Sequence, residues 1–106
     1  NQNQEEDNFP QKNLITWNEV LKDGDKYLLI DVRDTKSYDM CHFKNSVNLT
    51  KEGIQNYETN KIKVIVCRKG ISAKKIWYEL NDESILVMKG GLTAYKNEID
   101  NKFTIF

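Results

Sequence analysis

The residues best suited to chemistry lie together in Val64-Ile65-Val66-Cys67-Arg68-Lys69-Gly70-Ile71-Ser72-Ala73. An apolar run delivers a cysteine into a short loop, a glycine turns the loop, and a helical pattern follows. Backbone N–H groups of such a loop can converge on the sulfur, and the helix N-terminus adds partial positive charge. Both effects favour thiolate over thiol, so Cys67 is the candidate nucleophile. Six cations (Lys61, Lys63, Arg68, Lys69, Lys74 and Lys75) and no acid occupy residues 61–77. A loop in such a segment suits an anionic sulfur species or an anionic donor. A strand-end cysteine also fits a merely buried thiol. The order strand, Cys, Gly, helix favours the chemical reading.

The neighbours divide between function and structure. Gly70 supplies backbone freedom for the tight loop. Arg68 and Lys69 either attract an anionic substrate or are solvated loop charges. Ser72 either donates to the sulfur or caps the following helix, with capping preferred. Asp31 and Arg33 end another apolar run and are candidates for the pocket border. For Asp31 a structural hydrogen bond is the favoured role. Cys41 reads as a packed small side chain rather than a second reactive sulfur. Trp17, Trp77 and Tyr95 read as core or rim aromatics.

These residues need elements to hold them. Residues 27–32, 62–66 and 85–88 are nearly continuous apolar runs, the pattern of strands buried on both faces. Helical patterns span 72–80 and 92–99. Thr16 and Glu19 form a capping box that opens a short helix to about residue 21. Residues 36–40 suit one helical turn and 46–49 a short strand, while 53–57 are ambiguous. Turns fall at Asp23-Gly24-Asp25 and Lys69-Gly70, and Gly90-Gly91 breaks the last strand from its helix. Strands alternating with helices imply a parallel sheet with crossovers, an α/β domain. Ligands in such sheets bind beyond the carboxyl ends of the strands, here after Val32, Val66 and Met88.

Composition bounds the rest. A chain of 106 residues suits one domain. Leu, Ile, Val and Phe number 28, or 26%, above the roughly 20% below which chains stay disordered. Sixteen basic and sixteen acidic side chains cancel, which argues against nucleic-acid binding through bulk charge. No apolar run approaches the roughly 20 residues of a membrane span, and none resembles a signal peptide. Two Cys and one His cannot complete a four-ligand zinc site, and a disulfide scaffold would use more cysteines. The expectation is a reduced, soluble, cytoplasmic domain with no metal or cofactor. Residues 1–12, rich in Asn, Gln and Glu with Pro10, read as a flexible tail or interdomain linker, leaving 13–106 as the domain. The chain starts with Asn rather than Met, which suits a domain cut from a longer protein.

The loop Cys67-Arg68-Lys69-Gly70-Ile71-Ser72 resembles the six-residue active loop of the rhodanese (sulfurtransferase) family. Asp31-Val32-Arg33, Tyr38, His42 and Asn48 resemble that family's upstream pattern in register. Gly90-Gly91-Leu92-Thr93-Ala94-Tyr95 resembles its Gly-Gly-x-x-Ala-Trp element, with Tyr for Trp. Three ordered motifs over about residues 14–99 are far more specific than one cysteine loop. The resemblance implies a five-stranded, mainly parallel sheet with helices on both faces. It implies that Cys67 takes a sulfane sulfur as a persulfide and that 68–72 form the substrate-binding loop. It also implies a structural role for His42. Cys41 departs from the family's usual Gly, and Ser72 stands where many members carry Arg.

Asp39-Met40-Cys41-His42 and residues 99–106 are similar to one subgroup, the rhodanese domain ending the E1-like adenylyltransferase/sulfurtransferases. That subgroup implies delivery of sulfur to the activated C-terminus of a ubiquitin-like carrier, for tRNA thiolation or molybdenum cofactor synthesis. The donor would be thiosulfate or a persulfidated cysteine desulfurase. The alternatives are a stand-alone thiosulfate sulfurtransferase acting on small nucleophiles, and a rhodanese-like binding module without catalysis. A phosphatase of this family would need a longer loop and an Arg six residues after the Cys to clamp a phosphoryl group; that position is Ala73.

Overall fold

The structure, a computed structural model, describes residues 8–106. Its strands are β1 (Leu14–Ile15), β2 (Tyr27–Asp31), β3 (Val47–Asn48), β4 (Ile62–Val66) and β5 (Leu86–Met88). Its α-helices are α1 (Trp17–Lys22), α2 (Thr35–Met40), α3 (Lys51–Asn56), α4 (Ile71–Leu80) and α5 (Gly91–Glu98). Short 3-10 turns at Gln11–Asn13 and Gly24–Lys26 precede β1 and β2.

The strands form one five-stranded sheet in the order β1-β5-β4-β2-β3, and every pairing is parallel. Parallel neighbours need a crossover, and the helices between the apolar runs supply it. β4 is the middle strand. Asp31 of β2 pairs with Val66 on one side of it and Val87 of β5 with Ile65 on the other. Its carboxyl end therefore opens at the centre of one pole of the sheet.

The continuous apolar runs sort by the two-residue period of a strand. Ile30, Ile65 and Val87 face Ile54 of α3 and Ala73, Trp77 and Leu80 of α4. Leu29, Val64, Val66 and Met88 face Trp17 and Val20 of α1 and Leu92 of α5. One face carries α3 and α4, the other α1 and α5, which is why these runs do not alternate with polar residues.

Several boundaries differ from the sequence expectation. β1 has only two residues, too few for periodicity to mark it; Leu14 and Ile15 pair with Val87 and Met88. Of the ambiguous 53–57 stretch, residues 53–56 belong to α3 and Tyr57 is its extended C-cap; the N-cap Thr50 accepts a hydrogen bond from the Gly53 N–H at 3.1 Å. The predicted capping box is present, with Thr16 accepting from the Glu19 N–H at 3.3 Å and donating its own N–H to Glu19 at 3.1 Å. Packing against the core begins before residue 13. Phe9 is 2% exposed and its ring meets Trp77 edge-on at 4.9 Å. Asn13 ties the same segment down by donating to the Glu83 and Ile85 carbonyls at 2.9 and 3.1 Å. The tail expected over 1–12 otherwise falls on 1–7, outside the described residues. Among the described residues, no helix is long and apolar enough to cross a membrane.

Candidate active site

Cys67 is the first residue beyond β4, and four loop residues, 67–70, separate that strand from α4. Gly70 caps α4 in the left-handed region, at φ 90°, and no side chain caps the helix. A Cβ on Gly70 would be strained by that φ alone. The first N–H groups of a helix lack intrahelical acceptors. Here the sulfur takes the place a capping oxygen usually fills. The Gly70 N–H donates to Sγ at 3.0 Å and the Ala73 N–H at 3.4 Å. Expectation and geometry agree that loop N–H groups converge on the sulfur. Cys67 is 4% exposed, and a cavity of about 360 Å³ opens on it, lined by Cys67, Arg68, Lys69, Ile71 and Ser72.

Ser72 does not cap α4. The cap position is Gly70, which leaves Ser72 inside the first turn, with its side chain on the cavity wall. The six cations of 61–77 do not surround the cysteine either. Lys61 precedes β4 by one residue, and a strand rises about 3.3 Å per residue, so it lies at the opposite pole. Lys63 donates to the Ile54 carbonyl at 2.6 Å, and the Lys74 ammonium sits 5.5 Å above the Phe9 ring. Only Arg68 and Lys69, both exposed, line the cavity.

The loop is held from behind by α5. Gly90 and Gly91 adopt φ 74° and 57°. A Cβ on Gly91 would collide with the Cys67 carbonyl oxygen and lie 2.8 Å from the Arg68 carbonyl oxygen, so only glycine admits this approach. The Leu92 N–H donates to the Cys67 carbonyl at 2.9 Å. The Thr93 N–H and hydroxyl donate to the Arg68 carbonyl at 2.9 and 3.0 Å. Trp17, fully buried, donates its indole N–H to the Gly91 carbonyl at 2.8 Å. A trans peptide directs its C=O and N–H oppositely. With both carbonyls drawn to α5, the Arg68 and Lys69 N–H groups turn away from it. Sequence reasoning took Gly90-Gly91 as the break after the last strand and as part of a family motif, and Trp17 only as packing. The paired glycines were the available signal of a close backbone approach.

Asp31 and Arg33 are not on the cavity wall. They form a side-chain pair, 1% and 6% exposed, with Arg33 Nε and Nη2 donating at 3.0 and 2.9 Å. Arg33 reaches on to the Cys41 carbonyl at 2.6 Å and the Phe106 carbonyl at 3.4 Å. Asn48 donates to the Asp31 and Arg33 carbonyls, each at 2.9 Å. The upstream motif thus fixes the chain leaving β2, as the structural alternative for Asp31 anticipated. His42 stacks on Tyr38 at 3.7 Å, and its Nδ1 meets the Tyr38 carbonyl at 2.6 Å. Cys41 is half-buried with a free thiol. Asp34 caps α2, and its carboxyl is held below its ordinary 3.8 by hydrogen bonds from the Ser37 side chain and backbone, with Arg33 and Arg68 adding to the effect.

Known proteins place this arrangement. The chain is 26% identical over 109 residues to "Adenylyltransferase and sulfurtransferase MOCS3" of Drosophila virilis, covering 89% of this chain and 24% of that one. It is 29% identical over 97 residues to "tRNA uridine(34) hydroxylase" of Bdellovibrio bacteriovorus, covering 80% and 28%. The chain therefore spans about a quarter of the length of these relatives. The crystal structure of a rhodanese-related protein from Thermoplasma volcanium superposes with a TM-score of 0.63 at 17% identity, covering 87% of this chain and 95% of that one. The rhodanese-like domain model matches residues 15–98, which contain the Cys67 loop and the α5 turn that backs it, and the chain belongs to that family.

Proposed function

We propose that the protein is a sulfurtransferase that carries sulfane sulfur on Cys67. The observation that supports this most is the pair of N–H groups on Sγ, from Gly70 at 3.0 Å and Ala73 at 3.4 Å, at the floor of a cavity edged by Arg68 and Lys69. The Cys67 thiolate attacks the outer sulfur of thiosulfate, the donor's S–S bond breaks, and sulfite leaves with the electron pair. Cys67 is left as a persulfide. An acceptor nucleophile then takes the outer sulfur and returns the thiolate. The Arg68 and Lys69 N–H groups, turned away from α5, supply further donors to the anionic outer sulfur. The Arg68 and Lys69 side chains draw an anionic donor in.

The loop suits one sulfur atom rather than a phosphoryl group. The sixth residue after Cys67 is Ala73, whose N–H already serves Sγ, so no guanidinium clamps an oxyanion there. Similarity to an adenylyltransferase and sulfurtransferase supports the activated C-terminus of a ubiquitin-like sulfur carrier as acceptor. Thiosulfate or a persulfidated desulfurase would be the donor. Mixing the protein with thiosulfate and no acceptor tests the first half. One equivalent of sulfite per chain is expected, and none from Cys67→Ala. Equal sulfite from both would remove Cys67 from the reaction.

A further inference from the structure

We infer that Thr93 is a positioning residue that locks the Arg68–Lys69 peptide with its N–H on the sulfur side. This rests on the persulfide reading of Cys67. The Arg68 carbonyl accepts two donors from one residue, the Thr93 N–H at 2.9 Å and the Thr93 hydroxyl at 3.0 Å. The neighbouring Cys67 carbonyl accepts a backbone donor from Leu92, at 2.9 Å.

The second donor falls where the loop is most exposed to change. Arg68 and Lys69 are both solvent-exposed, so their side chains do little to hold the peptide between them. Rotation of that peptide by half a turn would exchange its C=O and N–H and aim a carbonyl dipole at the outer sulfur, with no other change in the fold. A carbonyl facing an anionic sulfur repels it, whereas an N–H stabilises it. Two donors on one carbonyl oppose the rotation. The Thr93 backbone N–H is available whatever the side chain. The hydroxyl is what a Thr or Ser adds at the third residue of α5.

The anchor is itself rigid. Gly91 presses on the Cys67–Arg68 backbone, and the Trp17 indole holds the Gly91 carbonyl at 2.8 Å. Thr93 lies two residues further along the same helix. It does not line the cavity, so it acts through the peptide and not on the substrate.

The test compares Thr93→Val, which keeps the shape and removes the hydroxyl, with Thr93→Ser, which keeps the hydroxyl. Amide hydrogen exchange of residues 68–70 needs no sulfur donor. One neutral hydrogen bond is worth about a three- to tenfold change. Exchange of 68–70 is expected to rise by that factor in Thr93→Val, with β4 and β5 unchanged and Thr93→Ser close to wild type. After thiosulfate loading, the persulfide half-life followed by intact mass should shorten by a similar factor in Thr93→Val alone. The KM for thiosulfate should hold, because the Arg68 and Lys69 side chains are untouched. Unchanged exchange at 68–70 in Thr93→Val, or a Thr93→Ser variant as impaired as Thr93→Val, overturns the inference. If wild type takes up no sulfur, the persulfide reading fails, and the exchange comparison still decides whether Thr93 locks the loop.

Discussion

α4 and α5 begin alike and end up serving different ends. Each follows a buried strand, each is capped by a left-handed glycine, and neither has a side-chain cap. At α4 the N–H groups of Gly70 and Ala73 meet a sulfur. At α5 the N–H groups of Leu92 and Thr93 meet the carbonyls of Cys67 and Arg68. The connecting length separates them. Residues 67–70 link β4 to α4, but only Lys89 and Gly90 link β5 to α5. Four residues can wrap an atom; with only two, the first amides of the helix itself face the neighbouring loop. One junction therefore forms the cysteine loop, and the other gives that loop a rigid back.

Breaking the back should cost more than loosening the loop. Gly91→Ala places a methyl against the Cys67 and Arg68 backbone, at a φ of 57° that strains any other residue. Neither obstacle is a flexible side chain. Chemical denaturation should show a loss of at least about 2 kcal/mol. Any folded fraction should take up sulfur about a hundredfold more slowly, the scale of a misplacement near 1 Å. If Gly91→Ala kept wild-type stability, the close approach of the two junctions would be wrong.

Gly70→Ala acts on the loop itself. Its Cβ would meet the Gly90 N at 3.2 Å, a contact that a small shift relieves, so the left-handed conformation sets the cost at about 1–2 kcal/mol. Thermal melting should place it between Gly91→Ala and wild type. An order reversed between the two glycines would mean that the loop, not its back, sets the stability of this pole.

The smallest effect belongs to α2, which uses an ordinary side-chain cap. The Asp34 carboxylate accepts from the Ser37 N–H at 2.9 Å. Its folded pKa lies below the unfolded value of 3.8, so its contribution is full above that value and fades as pH falls through the folded one. Asp34→Ala should lower the melting temperature slightly at pH 7. The gap to wild type should close as acid takes the pH below the folded-state pKa, where the carboxyl is protonated in both states. A gap that persists there would assign the effect to something other than the carboxylate.

The parts of this design differ in how far a linear reading reaches them. Continuous apolar runs marked β2, β4 and β5, because both faces of each are covered and no polar alternation intrudes. The Cys67 loop was legible because strand, cysteine, glycine and helix are adjacent in the chain. β1 was not, since its two residues owe their conformation to Val87 and Met88. Nor was Phe9, whose burial against Trp77 is decided by residues nearly seventy positions away. Counting charge along 61–77 misled for a similar reason: an extended strand carries Lys61 to the far pole while sequence distance stays small. Asp31 and Arg33 sit at the correct end of β2, yet their mutual pairing turns them inward from the cavity. Thr93 was quoted within a motif, but its partner is the Arg68 carbonyl, and backbone partners leave no trace in side-chain identity.

The central claim is that Cys67, held by two helix-end N–H groups and backed by a second helix, is the sulfur carrier. Peptide mapping by mass after thiosulfate treatment addresses it most directly, because the chain has one other thiol, the half-buried Cys41. The account predicts one added sulfur on the peptide containing Cys67 and none on the peptide containing Cys41. Sulfur on Cys41, or on neither, would contradict it.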